Sequence, residues 1–469
     1  MGESYDGTAL LLAILGSAAA GCACAVVIRF TAGFVLAVWR SVAWILIRKK
    51  SSVASQAKKQ QQQHHSPPPA RKRRVSPPPP SPPPPRPPAI PDQELGKKKA
   101  APQVKPKARP TPRHRLELNA IKGHVDAITG IAFSSNSRGL ATACADRVVR
   151  IFKLDDPTSK NLHVLRLNVP LGTVPTGVAF GDGQGAAQIV VATQDINGSG
   201  LLMFGAPEGK GAAQAREQGK VPPPEIKWRK TQIHDRRNVL TCVGARCEYG
   251  SGDGESVLIA TCSEGTDIKI WSAGNGTCVK TVDTNQLQNT MATISPDGRF
   301  LAAAAFTADV KIWEIVYGKD GQVRDVVKVM LLKGHKSAVT WTCFTWDSQK
   351  IITASKDGFI RIWNINVRYQ MDEDPKCIKV FPILSSDNGL YEKIAVSPDD
   401  KILAATHGTT LTWLSTADGQ VLDTAENAHD GEITCITWAP QSVSTDQGKV
   451  LILATASVDK KLKLWSQPL

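Results

Sequence analysis

Residues 116–469 predict an all-β chain closed into a seven-bladed β-propeller, and three observations carry that prediction. A unit of short apolar strands and tight turns recurs seven times, ending on Phe152, Phe204, Trp271, Trp313, Trp363, Trp413 and Trp465. The spacings of these aromatics, 52, 67, 42, 50, 50 and 52 residues, fit a four-stranded blade of about 40 to 45 residues with loop insertions. Charge divides the chain at the same place. Residues 1–115 hold 20 Lys+Arg and 4 Asp+Glu, against 37 and 38 in the remainder, so the net charge of +15 belongs to the N-terminal region. Basicity therefore says nothing about the propeller's partners.

Copies one, five and seven repeat more than the aromatic. Gly123-His124 and Gly334-His335 stand 28 residues before Phe152 and Trp363, and His429 stands 36 before Trp465, where the polar stretch 442–449 is inserted. Each has an Asp six residues before its aromatic: Asp146, Asp357 and Asp459. Ser355 and Ser457 precede two of these acids. This pattern resembles the WD-repeat family. The resemblance implies that His124, Asp146, His335, Ser355, Asp357, Trp363, His429, Ser457, Asp459 and Trp465 form buried hydrogen-bonded networks that fix the blades. In copies three and four the acids, Asp267 and Asp309, lie only four residues before Trp271 and Trp313, so those turns are expected to differ. Copy six has His407 in the acid's slot, and copy two, around Asn197 to Phe204, has neither His nor Asp there.

His335, Ser355 and Asp357 also spell a nucleophilic triad. The equivalent set recurs as His429, Ser457 and Asp459, and a catalytic site has no reason to be duplicated in a second blade; triads are recognised by geometry. The adjacent pair Trp346-Asp347 follows a first strand and is not the repeat's terminal dipeptide. Ten cysteines show no CxxC and no zinc spacing, and most fall at strand positions where a thiol acts as a small apolar group. That usage fits a reducing, cytosol-facing compartment. His64-His65 reads as solvated tail, so no metal, cofactor or small-molecule substrate is expected.

Residues 1–50 read as a membrane anchor. Thr8 to Ile28 is 21 residues without a charge, about 31 Å as a helix, enough to cross a bilayer core of roughly 30 Å. Glu3 and Asp6 ahead of it argue against a cleaved signal peptide, whose leader is basic, and Asp6 defeats the myristoylation motif. Phe30 to Ile47 reads as an interfacial or second helix, because Arg40 in its middle costs about 2.5 to 3.5 kcal/mol on insertion scales. Residues 51–115 cannot build a core: a Gln run, Arg71 to Arg74, serine-tetraproline units at Ser76 and Ser81, and Lys97 to Lys99. They read as a disordered, semi-extended basic linker able to meet anionic lipid or RNA. Under the positive-inside rule the linker and the propeller behind it face the cytosol.

A narrower resemblance rests on Thr281 to Gln286, SPDGRF at Ser295, FTADVKIWE at Phe306, LKGH at Leu332 and SKDG at Ser355. These segments, with the order anchor, basic linker, propeller, are similar to the transducin-beta-like WD-repeat proteins. That similarity implies a non-enzymatic scaffold at the endoplasmic-reticulum membrane linked to stress signalling, with protein partners. The Pro-rich linker is a departure from it. A nuclear or RNA-associated adaptor using the linker, and a propeller enzyme with acids converging in the channel, are the competing classes. Trp341, where copies one and seven have Gly130 and Cys435, is a candidate partner anchor or channel-mouth residue, and Lys356 a candidate surface contact. Arg115 to Asn119, with Leu116 and Leu118 alternating with charged neighbours, is expected to close the ring beside the last blade, which leaves only four residues after Trp465.

Overall fold

The second strand of each unit dictates how the units assemble. Gly139–Cys144, Phe300–Ala305 and Ile452–Ser457 read GLATAC, FLAAAA and ILATAS and are buried almost end to end. A strand apolar on both faces must be covered on both, and small side chains let neighbouring sheets approach closely. The fourth strands behave oppositely: Glu225–Thr231 is exposed along most of its length. Sheets therefore stack around an axis, with fourth strands at the rim.

The structure is a computed structural model describing residues 113–181, 188–207, 223–235, 238–246, 257–383, 390–445 and 448–468. Among these residues are seven antiparallel four-stranded sheets. Their innermost strands, Ile128–Phe133, Val174–Phe180, Val239–Arg246, Asn289–Ile294, Val339–Phe344, Lys393–Val396 and Ile433–Trp438, neighbour one another round a closed ring. The all-β seven-bladed propeller is the fold. The expected span at 8–28, the helix at 30–47 and the linker up to residue 112 lie outside the described residues, among which no helix is long and apolar enough to cross a membrane.

The last sheet is composite. Glu117–Ile121 pairs antiparallel with Leu462–Ser466, matching Glu117 to Trp465 and Ile121 to Leu462. Lys463 reaches Glu117 at 2.9 Å, and Arg115 ties the entering chain to Asp423 of blade six at 2.8 Å. The inserted stretch in this blade is a hairpin, Val443–Thr445 with Gly448–Val450. Threonines clasp blade to blade nearer the axis: Thr129, Thr290, Thr340 and Thr434 donate to the carbonyls of Pro175, Val339, Tyr391 and Ile128 at 2.7, 2.9, 3.1 and 2.6 Å.

Blade six corrects the reading of the repeat. In six blades the terminal aromatic pairs with the second-strand residue equivalent to Ile351, as Trp363 does. In blade six the equivalent residue, Leu403, pairs with Leu414, while Trp413 pairs with Ala404. A one-residue shift flips a side chain to the other face. Trp413 consequently packs toward blade seven with Trp438, Leu453 and Trp465, whereas Trp363 packs toward blade four.

Candidate functional site

In blade five, Asp357 sits in the turn between the second and third strands and His335 in the connection preceding the first. His335 Nδ1 donates to Asp357 Oδ2 at 2.9 Å, and its Nε2 lies 2.7 Å from Thr353 Oγ1. Trp363 Nε1 donates to the same threonine at 3.0 Å. The carboxylate can only accept, so the imidazole proton sits on Nδ1 and the chain runs indole, hydroxyl, imidazole, carboxylate. Ser355 does not join it as a nucleophile would. Its hydroxyl donates to the carbonyls of Ser337 and Ala338, both at 3.0 Å, and receives the Asp357 N–H. Burial pushes the Asp357 pKa up, but the Lys336 N–H and His335 outweigh it and hold the carboxyl below its ordinary value. Burial likewise holds His335 low.

Blade seven repeats the arrangement: His429 to Asp459 at 3.0 Å, His429 to Thr455 at 2.8 Å, and Trp465 to Thr455 at 2.8 Å. Ser457 bonds the Gly431 carbonyl. Burial pushes the Asp459 pKa up, but the hydrogen bond and charge of His429 outweigh it and the carboxyl falls to about 2.

Two blades depart from expectation. In blade three the shifted acid does complete a network, and the turn differs as its spacing required: Asp267 meets His234 at 2.5 Å, His234 meets Thr261 at 2.9 Å, and Trp271 donates to Thr261 at 2.9 Å. His234 went unread in the sequence because it precedes its strand Val239–Arg246 by five residues, where His335 precedes Val339–Phe344 by four. In blade one His124 keeps its threonine, Thr142 at 2.9 Å, but Asp146 turns to Arg150 at 2.7 Å. His124 Nδ1 is left buried without a partner. Phe152 has no N–H with which to orient the chain. Threonine ten residues before the aromatic, at 142, 261, 353 and 455, is the shared element that sequence reading missed. In blade six His407 Nδ1 approaches the Leu390 carbonyl at 3.0 Å, a serine's role rather than an acid's.

Burial and the adjacent Arg150 push His124 down to about 4. The unfolded chain takes up this proton near pH 6.5 and the folded chain does not, so stability falls as pH drops from 6.5 toward 4. Calorimetry should show the melting temperature declining across that window. His124→Gln should flatten part of the decline, and an unchanged slope would refute the assignment.

The central channel encloses about 640 Å³. Trp341 lines it from blade five, packing against the clusters on both sides of its blade. The described lining residues include no Asp, Glu, His, Lys or Arg. Burial drives the Cys242 and Cys343 thiols up to about 12, so they stay protonated. Among the described residues no cluster of His, Cys, Asp or Glu is arranged to hold a metal ion. Lys356 sits exposed in the blade-five turn, its ammonium 5.3 Å from the Phe306 ring centre.

This geometry agrees with comparison to known proteins. The WD domain, G-beta repeat, matches residues 116–153, 326–364 and 419–466, enclosing the networks of blades one, five and seven. The chain is 32% identical over 321 residues to transducin beta-like protein 2 of Homo sapiens, covering 67% of this chain and 66% of that protein. For the protein of the same name in Mus musculus the identity is 31% over 330 residues, covering 69% and 68%. The chain belongs to the transducin beta-like WD-repeat family. More distant similarity extends to nuclear distribution protein nudF of Aspergillus niger, at 24% over 275 residues, 54% of this chain and 55% of that one. The proteins this chain resembles thus carry varied names. The networks described above lie within the matched repeats and tie the strands of each blade together.

Proposed function

We propose that the chain is a non-catalytic protein-interaction scaffold anchored in the endoplasmic-reticulum membrane, its propeller facing the cytosol and serving stress signalling. The observation that carries the scaffold reading is that the groups resembling catalytic machinery, His335 with Asp357 and His429 with Asp459, are consumed in duplicate internal networks. Identity to transducin beta-like protein 2 over two thirds of the chain supports the same reading. The location rests on the uncharged stretch from Thr8 to Ile28 and on the basic segment that follows it.

The topology is testable through two glycosylation acceptors, Asn197-Gly-Ser and Asn275-Gly-Thr. Both asparagines stand exposed in turns and would be modified in the lumen. The expected result is that neither carries glycan and that protease added to intact microsomes removes the propeller. A mobility shift on endoglycosidase treatment, lost when both become Gln, would put the domain in the lumen. Release from membranes by salt without detergent would favour a soluble adaptor using the basic linker on RNA.

A further inference from the structure

Strands alternate in direction within each blade, so the connections into each first strand and the turns between second and third strands share one face of the ring. On this face blade five is basic. Lys333, Lys336 and Lys356 are all exposed, while the acid among them, Asp357, is committed to His335 and to the backbone N–H of Lys336. Blade seven differs, since its Lys461 is neutralised by Asp430 and Asp459. Beside the blade-five lysines lie three exposed apolar side chains: Leu287 at 63%, Phe306 at 47% and Phe359 at 39% of full exposure.

These groups are stitched into one surface. The Phe306 N–H donates to the Gln288 carbonyl at 2.9 Å, the Val339 N–H to Thr307 at 3.1 Å, and the Lys356 N–H to Ala338 at 2.9 Å. Two connections and two turns, contributed by blades four and five, are thereby locked to one another. Lys356 over the Phe306 ring places cation and apolar surface side by side. Preorganised backbone lowers the entropic cost of binding, and the three exposed lysines, which among the described residues form no ion pair with the neighbouring Asp283 and Asp309, favour a partner of opposite charge.

We propose that this surface docks an acidic protein segment carrying an apolar side chain, the apolar group seating against Leu287 and Phe306 while its flanking carboxylates meet Lys336 and Lys356. The proposal rests on the scaffold reading and names the chemistry of one partner.

The test uses the full chain in detergent and a short fluorescent peptide of Glu and Asp around one Leu and one Phe, read by anisotropy. A companion peptide with Lys in place of the acids is the control. Binding of the acidic peptide alone is expected, weakened roughly tenfold or more by Lys336→Glu with Lys356→Glu and comparably by Leu287→Ser with Phe306→Ser. All four positions are exposed, and melting curves establish that each variant folds. Equal binding of both peptides, or affinity unchanged in both variants, overturns the proposal. So does loss of binding to phosphatidylserine micelles, but not to the peptide, in the variants, which would make the surface a lipid contact. Cross-linking of the full chain in cells separates this from the broader reading. A stoichiometric partner retained by both variants overturns the surface and leaves the scaffold standing, whereas no partner for the unaltered chain removes both.

Discussion

Trp465→Ala should lower the stability of the propeller by about 3–5 kcal/mol, the range for emptying a large aromatic site from a packed core. Trp465 is fully buried, its ring lies 5.7 Å from that of Trp413, and its indole supplies the donor that orients Thr455 and His429. Conservative variants divide packing from hydrogen bonding. Trp465→Phe keeps most of the volume but removes that donor, so a loss of about 1–3 kcal/mol remains. Trp413→Phe should cost less than Trp465→Phe, because the Trp413 N–H is buried without a partner and its removal relieves a penalty. Denaturant titration measures all three. A greater loss for Trp413→Phe would show that blade six uses its indole as blades three, five and seven do, contrary to the register seen here. The double alanine variant should not be additive, since the two rings share one cavity.

Asp357→Ala should destabilise by about 1–3 kcal/mol, because His335 Nδ1 and the Lys336 N–H would be left in or near the core without their acceptor. Asp309→Ala should change stability by no more than about 0.5 kcal/mol. The residues around Asp309 are held by other means: Gln286 donates to Thr307 at 3.0 Å and to the Asp309 main-chain carbonyl at 3.1 Å, which alanine preserves. Asp267→Ala should behave like Asp357→Ala despite sharing the Asp309 spacing, since its partner is the buried His234. Thermal melts of the three variants decide the matter. Equal losses for Asp309 and Asp357 would mean that blade four holds a network after all.

The propeller was legible because its blades are built by repetition: aromatics at regular intervals and Ala-rich second strands are what stacking sheets requires. Blades five and seven were legible in detail, because each carries the full His, Asp and Trp set with the Asp six residues before the Trp, even though a hairpin lengthens the His-to-Trp spacing in blade seven. Where the sequence misled, the causes are local. The slip at Trp413 preserves composition and spacing while reversing the face, which no count of residues can detect. His234 and Asp267 are displaced in opposite senses, the His one residue farther from its strand and the acid two nearer its aromatic, yet they meet. In blade one, Asp146 and Arg150 stand at the same spacing as Asp357 and Arg361, but Asp146 pairs with Arg150 whereas Asp357 pairs with His335. The docking surface was barely legible, with Lys356 alone read from sequence, because Leu287 and Phe306 come from different connections joined only by folding.

The composite last sheet also sets a schedule for synthesis. Glu117 and Lys463, which meet in it, are 346 positions apart in the chain, so the first strand leaves the ribosome long before its pairing partner exists. At about 5–20 residues per second the interval is roughly 20 to 70 s. Throughout it the nascent chain carries an unpaired strand and an incomplete ring whose edges invite other chains. Contacts this distant in sequence also slow the final closure once the last residues are free. Each newly made molecule thus passes roughly 20 to 70 s with that edge open, and a truncation anywhere before Leu462 would remove the strand that closes it.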